Sequence, residues 1–370
     1  MGKISTKITK KNKGNTIQNV LCNSATLGLI PQNAYFDREI ANSNNTEGYY
    51  VIEYGDFVYN PRKSVSAPYG PVNIYTGSIK GIISPLYLCF SVHSIMPSFL
   101  YYRFKSSVWF SYVYSHGDTG TRFDRVSIKD DVFFEMPIYM PSSKEQIKIA
   151  NLMALLDERI ATQNKIIEKM QTLIRGISNK LLNTDYGKKT RLGDILNECS
   201  ERTKVNKQYE VLSSTVNGLF SQREYFSKDI ASENNIGYKI LRLHDVVLSP
   251  QNLWMGNINY NDKFEIGIVS PSYKIFSIVD GYDKKYVSAL LKTHRALYNY
   301  SLVSEQGASV VRRNLNSEAF EQLTFIIPPI ANQRAIGYTI SLLRYRLEIE
   351  NMLKVTYLSQ KQYLLRQMFI

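Results

Sequence analysis

Loops in both halves of the sequence carry basic and amide side chains that suit the edges of DNA bases. An Arg side chain can form two hydrogen bonds with guanine, and Asn or Gln can form two with adenine. Taken singly, each residue is explained as well by a solvated surface position or a phosphate contact, but as a group we expect several to contact DNA. The candidates are Gln32, Asn33, Arg62, Lys63, Lys80, Arg122 and Arg125 in the first half, and Gln222, Arg223, Gln251, Asn252, Trp254, Arg312 and Arg313 in the second.

Residue patterns typical of catalysis or metal binding are absent from the sequence. It has no G-x-G-x-x-G or G-x-x-x-x-G-K-[ST] loop, and its four histidines lack metal-ligand spacing. A methyltransferase acting on amino groups would need an (Asp/Asn)-Pro-Pro-aromatic segment, which residues 60–62 (Asn-Pro-Arg) and 328–330 (Pro-Pro-Ile) do not supply. We therefore interpret the chain as a binding protein, not an enzyme, with no cofactor or metal of its own.

Charge and length favour a multidomain protein with an acidic partner. The 370 residues carry a net charge of +13, and the first 187 residues hold 21 basic and 15 acidic side chains against 24 and 17 in the rest. Both halves are therefore basic, at +6 and +7, which favours a polyanion such as DNA over a single basic tail. Three cysteines, no apolar membrane-spanning run and a polar N-terminus predict a cytoplasmic protein.

The second half of the sequence repeats the first. Residues 28–41 (GLIPQNAYFDREIA) and residues 218–231 (GLFSQREYFSKDIA) are identical at seven of fourteen positions. The similarity continues in the same order, for example between residues 54–61 (YGDFVYNP) and residues 243–250 (LHDVVLSP). A repeat that keeps one order over about 180 residues predicts two similar domains.

Each copy predicts a mixed domain of strands and helices. Short β-branched and aromatic runs between Asn, Gly, Pro and Ser are typical of strands and turns, residues 98–112 and 284–300 have helical spacing, and each copy is expected to end in a strand before Pro141 or Pro328. We predict an α+β fold in which two similar mixed domains are separated by two long antiparallel helices that form a coiled coil, with an internal pseudo-twofold repeat. The predicted bounds are residues 1–141 for the first domain, 142–187 for the first helix, 188–328 for the second domain and 329–370 for the second helix.

Apolar residues alternate at spacings of four and three after each of these prolines, which is the seam of a coiled coil. The first seam, of about 38 residues, predicts a helix of roughly 57 Å. Two independent surface helices would explain the pattern less well, because neither domain offers a neighbouring partner for so long a stripe. The seam residues are Ile149, Met153, Leu156, Ile160, Ile167, Met170, Ile174, Ile177 and Leu181 in the first helix, and Ile336, Ile340, Leu343, Leu347, Leu364 and Met368 in the second.

The second seam is interrupted by Glu350, Lys354 and Lys361. Polar seam residues can fix the register of a coiled coil at some cost in stability. Alternatively, the contact face of this helix shifts to Ile349 and its neighbours Leu353 and Leu358. Either arrangement leaves two similar domains on a helical spacer. Two half-sites on one face of B-DNA lie roughly 34–36 Å apart per turn, a distance that a helix of this length can span.

Several segments carry a resemblance to a known family. Residues 143–147 (SKEQI) follow the first proline, lead into residues 155–160 (LLDERI), and precede a helix that ends in residues 180–182 (KLL). The second copy has residues 327–330 (IPPI) followed by Gln333, Leu342, Leu343 and Phe369, and the second domain opens with Arg191-Leu192-Gly193-Asp194-Ile195. Over essentially the whole chain, this arrangement resembles the specificity subunits of type I restriction–modification systems.

The resemblance implies a non-catalytic subunit with two target-recognition domains, each reading one half of a bipartite, asymmetric DNA site. It also implies that the helices set the spacing and dock two methyltransferase subunits that bind S-adenosylmethionine, and that added restriction subunits cleave DNA with ATP and Mg²⁺. Two other classes remain open at this point. One is a stand-alone DNA-binding protein, and the other is an enzyme such as a methyltransferase with degenerate motifs.

Overall fold

The computed structural model describes residues 1–34, 46–117, 124–126, 128–225, 234–306 and 312–369. The chain divides into two compact units, of which the first comprises Met1–Asn164 with Leu353–Ile370 and the second comprises Lys165–Met352. The four domain bounds given above stay a prediction. None of the helices in the described ranges is long and apolar enough to span a membrane.

The first unit is built on an antiparallel sheet with the strand order β1-β8-β5-β6. Two further strand pairs, β2 with β3 and β4 with β7, lie beside this sheet. The strands are β1 Ser5–Lys7, β2 Leu21–Ser24, β3 Gly28–Pro31, β4 Tyr50–Ile52, β5 Phe57–Tyr59, β6 Val72–Ile74, β7 Gly81–Ile83 and β8 Leu88–Val92. The helices are α1 Pro97–Lys105, α2 Phe110–His116, α3 Asp130–Glu135 and the long α4 Ser143–Leu182, which continues into the second unit.

Both faces of this sheet are covered, which explains why β5 is apolar along its whole length. Phe57 and Tyr59 belong to an aromatic core with the helices, where Phe57 stacks on Phe90 at 5.3 Å between ring centroids and Tyr59 stacks on Phe133 at 5.0 Å. Val58, between them in the chain, belongs to a separate cluster with the hairpin strands. Alternate residues therefore serve opposite faces, as the pleat of a strand requires.

The second unit has an antiparallel sheet with the order β10-β17-β14-β15, and the pairs β11 with β12, β13 with β16, β18 with β19 and β20 with β9. Its strands are β9 Lys188–Arg191, β10 Leu196–Cys199, β11 Leu212–Thr215, β12 Gly218–Ser221, β13 Lys239–Arg242, β14 Val246–Leu248, β15 Ile258–Tyr260, β16 Ile266–Val269, β17 Lys274–Ile278, β18 Ser304–Gln306, β19 Arg313–Leu315 and β20 Thr324–Ile327. Its helices are α5 Gln222–Tyr225, α6 Lys284–Leu290, α7 His294–Leu302, α8 Ser317–Glu321 and the long α9 Ile330–Met368, which ends in the first unit.

The two units repeat the same topology. Strands β10, β17, β14 and β15 take the places of β1, β8, β5 and β6, and the pairs β11–β12 and β13–β16 correspond to β2–β3 and β4–β7. The pairs β18–β19 and β20–β9 have no counterpart among the described residues of the first unit. Gly81 and Gly267 also correspond, because a Cβ on either glycine would lie only 2.3 or 2.4 Å from a Cδ1 atom of Leu21 or Leu212. The predicted α+β fold with two similar mixed domains and two long helices is confirmed.

Two local predictions need correction. The stretches with helical spacing form two helices each, α1 with α2 and α6 with α7, because a short turn interrupts them. The prediction of a strand before Pro141 is wrong, because residues 136–141 belong to no strand. In the second unit, β20 does end before Pro328, as predicted. Strand β20 forms by pairing with β9, and the described residues of the first unit contain no counterpart of that pair.

A buried glutamine fastens the start of each long helix to its own domain. Gln146 Nε2 donates to the Pro141 carbonyl oxygen at 2.9 Å, while its Oε1 accepts from the Met96 amide at 2.9 Å. Gln333 makes the same pair of bonds, to the Pro328 carbonyl oxygen at 2.9 Å and from the Asp283 amide at 3.0 Å. The SKEQI segment and its counterpart are therefore anchoring elements.

Helices α4 and α9 have 40 and 39 residues, so each is about 60 Å long at 1.5 Å per residue. Within the first unit their segments run antiparallel, since Asp157 accepts from Lys361 and Arg159 Nη2 donates to Tyr357 Oη at 3.0 Å. Every predicted seam residue in both helices is buried or half-buried, whereas Leu353 and Leu358 on the alternative face are exposed. The interrupting residues are accommodated in pairs, Lys361 with Asp157 and Glu350 with Arg346.

Candidate nucleic-acid interface

A hairpin places a glutamine at the same position of each unit. After β3 the backbone N–H of Gln32 donates to the Val20 carbonyl oxygen at 2.8 Å. After β12 the backbone N–H of Gln222 donates to the Val211 carbonyl oxygen at 3.0 Å. The side chain of Gln222 also donates to Ser213 Oγ at 3.4 Å. Both glutamines are half-buried, and the next residues, Asn33 and Arg223, are exposed.

In the first unit, Gln32 lines a cleft of about 420 Å³ together with Arg62 and Lys63. Tyr49 and Tyr87 contribute aromatic walls to the same cleft. Burial raises the pKa of the Tyr87 hydroxyl, so this group remains a neutral hydrogen-bond donor and acceptor at neutral pH. The cleft therefore combines cationic, amide and aromatic groups on one surface, which is the composition of a nucleic-acid contact.

Arg125 joins this surface from a distant part of the chain. It lies opposite Arg62 in an isolated antiparallel bridge, which is flanked by a hydrogen bond from the Lys63 amide to the Asp124 carbonyl oxygen at 2.8 Å. The Arg62 and Asp124 side chains approach to 3.8 Å, but both are more than half exposed. Because exposed pairs contribute little, the surface keeps a net positive charge.

A buried polar network beneath the cleft holds the hairpin against the sheet. Asn73 Nδ2 donates to Asn23 Oδ1 at 2.6 Å and to the Ser24 carbonyl oxygen at 2.9 Å, and Lys105 Nζ donates to Asn73 Oδ1 at 2.6 Å. Burial lowers the pKa of Lys105 to about 8. These positions were missed by the sequence reasoning, although the two asparagines sit in strands, where Asn is unusual.

The second unit contains an equivalent network. Asn259 Nδ2 donates to Ser214 Oγ at 2.7 Å and to the Thr215 carbonyl oxygen at 2.8 Å, and Asn257 Nδ2 donates to the Ser214 carbonyl oxygen at 2.9 Å. Lys292 corresponds to Lys105, and burial lowers its pKa to about 8 as well. Fully satisfied buried networks fix one geometry, so each hairpin presents its glutamine in a defined position.

Lys80 is not part of the first cleft. Its Nζ pairs with Glu53 Oε1 at 2.8 Å, and the side-chain hydrogen bond from Lys80 holds the pKa of that carboxyl below its usual value. Lys80 lines a second cleft of about 850 Å³ with Lys10, Lys11 and Lys13. The structure therefore brings Lys80 to the N-terminal lysines and forms a separate cationic surface.

In the second unit, Trp254 and Arg313 form a stacked pair. The Arg313 guanidinium carbon lies 4.3 Å from the centroid of the Trp254 ring, and the Arg313 amide donates to the Gln251 carbonyl oxygen at 3.1 Å. Asn252 precedes the short 3-10 helix Leu253–Met255 that carries the tryptophan. Gln251 and Arg312 are exposed beside this pair, whereas the candidate Arg122 lies outside the described residues.

The described residues include no group of His, Cys, Asp and Glu side chains that could hold a metal ion. Cys22, Cys89 and Cys199 are free thiols, and burial raises the pKa of the Cys89 thiol to about 12, which makes it unreactive at neutral pH. The chemistry of the described surfaces is therefore hydrogen bonding, stacking and charge.

Comparison with known proteins finds a match in fold but none in sequence. No protein-family model matches the sequence, and no curated protein matches it. A chain from a structure describing complex assembly and conformational transition of the type I R-M system superposes with a TM-score of 0.59 at 12% identity, covering 100% of this chain and 96% of that one. The type I restriction–modification system S subunit from M. genitalium superposes with a TM-score of 0.55 at 14% identity, covering 100% and 94%.

These likenesses cover the whole chain, including both repeated units and both long helices. The chain therefore has the fold of a type I restriction–modification S subunit. At this identity, the polar residues that line the clefts have to be interpreted from their own geometry.

Proposed function

We propose that this chain is the DNA sequence-recognition subunit of a type I restriction–modification complex, acting in the cytoplasm. The observation that carries the proposal is a repeated fold whose two polar surfaces differ in composition. The same sheet order supports Arg62 and Lys63 in one domain but Gln251 and Asn252 in the other. One scaffold with two different sets of contact residues suits a bipartite DNA site with unequal halves.

Each domain would read one half of that site through the residues around its hairpin. In the first domain the contacts would come from Gln32, Arg62, Lys63 and Arg125, and in the second from Gln222, Gln251, Asn252, Trp254 and Arg313. Amide and guanidinium groups can pair with base edges, and lysines near the rim can contact phosphates. The buried asparagine networks support this role, because base readout requires side chains in fixed positions.

The long helices would dock two methyltransferase subunits. Leu155 and Leu342 occupy equivalent positions of α4 and α9 and are 63% and 52% exposed, and Ile166 and Leu353 are a second equivalent pair, at 39% and 36%. Large apolar side chains exposed on a helix indicate a surface that a partner covers. Equivalent exposed side chains on both helices support two copies of the same partner.

Catalysis would reside in those partners. Methyl transfer from S-adenosylmethionine would belong to the methyltransferase subunits, and ATP- and Mg²⁺-dependent cleavage would belong to added restriction subunits. The role of this chain would be to position them over DNA by holding a fixed distance between two recognition domains.

Reconstitution tests the proposal. The chain should co-purify with the methyltransferase subunits encoded in its host, and the complex should transfer labelled methyl groups to duplex DNA, whereas each component alone should not. Label incorporated by this chain alone would contradict the proposal and favour a methyltransferase with degenerate motifs. Tight sequence-specific binding without any effect on methylation would favour a stand-alone DNA-binding protein instead.

A further inference from the structure

Arg125 and Arg313 occupy corresponding places in the two domains. Arg125 lies opposite Arg62 in its isolated bridge, and the Arg313 amide donates to the carbonyl oxygen of Gln251, which aligns with Arg62. Each arginine therefore lies beside the loop that follows a central strand of its sheet. That strand is β5 in the first domain and β14 in the second. The sequences around the two arginines differ, so this shared placement is a property of the fold.

Both arginines also share an unusual hydrogen-bonding state. The Nε atom of each is buried and has no hydrogen-bond partner among the described residues, and neither guanidinium pairs with a described carboxylate. An unpaired buried donor costs free energy, and a cationic one costs more. Both domains therefore place, at the same position, a guanidinium that no described carboxylate neutralises, which leaves its remaining donors available to a ligand.

The geometry of the second domain shows which donors remain available. The Arg313 guanidinium carbon lies over the Trp254 ring, 4.3 Å from the ring centroid, and burial of Nε removes the side edge of the group from use. Nη1 and Nη2 are left to donate together from the end of the fork. Such a planar pair of donors matches O6 and N7 of guanine in the major groove.

The first domain holds its arginine without a stacked tryptophan. The isolated bridge places Arg125 opposite Arg62, and Arg62 lines the 420 Å³ cleft together with Tyr87. We propose that Arg125 and Arg313 are the guanine-reading residues of the two domains, so that each half of the DNA site contains a guanine at the corresponding position. This inference rests on the proposed function.

Selection from a random-sequence duplex DNA library, using the complex of the full chain with its methyltransferase subunits, tests the inference. The unaltered complex should enrich a two-part motif with a guanine in each part. Arg125→Met should remove the guanine preference from one part and Arg313→Met from the other, by about 5- to 150-fold, equivalent to 1–3 kcal/mol. Arg313→Gln should move the preference at that position towards adenine.

Each variant carries its own control, because the unaffected part of the motif shows that the chain is folded and bound. Arg295→Met, at an exposed position of α7, is the matched control and should leave both parts unchanged. An unchanged motif with uniformly weaker binding and a shallower salt dependence would show that the arginines contact phosphates, which overturns the inference. Failure of the unaltered complex to enrich any motif would instead contradict the proposed function.

Discussion

The two recognition surfaces differ more than the scaffolds that carry them. In the first domain, Arg62, Lys63 and Arg125 lie near the carboxylate of Asp124, whereas the equivalent surface of the second domain presents Gln251 and Asn252. The first surface is therefore suited to strong charge interactions, and the second relies on amide hydrogen bonds and a stacked arginine. Under the proposed function, the two halves of the site would be read with different balances of charge and hydrogen bonding.

Residues that hold the backbone are the same in both domains. Gln146 and Gln333 fasten the long helices through identical pairs of hydrogen bonds, and Gly81 and Gly267 allow the same close approach of a leucine. Structural positions therefore repeat, whereas the candidate contact residues that follow β5 and β14 differ. Four predictions, in order of decreasing effect, test this contrast.

Exchanging a whole domain should have the largest effect. Replacing residues 1–141 with the corresponding domain of another protein of the same fold should replace one half of the methylated motif completely and leave the other half unchanged. Sequencing of methylated bases in the host measures this directly. A change in both halves would show that the domains do not read independently.

Neutralising the charged surface should weaken binding more than altering the amide surface. Each lost phosphate contact reduces the slope of log K against log salt by about 0.9, so Arg62→Gln with Lys63→Asn should lower the slope by up to about 2. Gln251→Ala with Asn252→Ala should alter the selected half-site and leave the slope unchanged. Fluorescence anisotropy over a salt series separates the two, and equal slopes for both double variants would remove the contrast.

Loss of either anchoring glutamine should destabilise the protein by similar amounts. Gln146→Ala and Gln333→Ala each leave a buried amide and a buried carbonyl unpaired, so each should reduce the free energy of unfolding by about 1–3 kcal/mol. Urea unfolding followed by circular dichroism gives the values. Gln171→Ala, at an exposed position of α4, is the matched control and should have no effect. A large loss for only one glutamine would contradict equivalent anchoring.

The smallest effect on DNA recognition should accompany a pH dependence of stability that the two domains share. Burial lowers the pKa of Lys105 and of Lys292 from 10.5 to about 8. Between these values the unfolded chain binds more protons, so the free energy of unfolding should rise as the pH increases from about 8 to 10.5. Lys105→Met or Lys292→Met should flatten that rise, whereas Lys180→Met, at an exposed position, should not. An unaltered pH profile for both buried variants would be inconsistent with this assignment.

The fold was largely predictable because its signals are local or repeated. The repeat predicted two similar domains, and the heptad spacing predicted two helices close to their observed bounds. The absence of a strand before Pro141 could not be predicted from the sequence. The corresponding strand β20 depends on pairing with β9 and not on its own residues. Strand formation is a tertiary property at such positions.

The candidate surface was predictable only in its residue types. Residue type suggested Lys80, Arg62 and Arg125 together, yet the fold separates Lys80 from the other two. The asparagine network joins residues 50 positions apart, from Asn23 to Asn73, and no local pattern marks such a pair. The stacking of Arg313 on Trp254 depends in the same way on long-range packing.

Sequencing of methylated bases in a host, with and without the gene for this chain, tests the central claim most directly. The account predicts that the chain confers one new motif, made of two specified parts that differ in sequence and are separated by unspecified bases. Loss of the gene should remove that motif and no other. A continuous motif, a motif with two identical halves, or an unchanged methylation pattern would contradict the claim that two differing domains read one bipartite site.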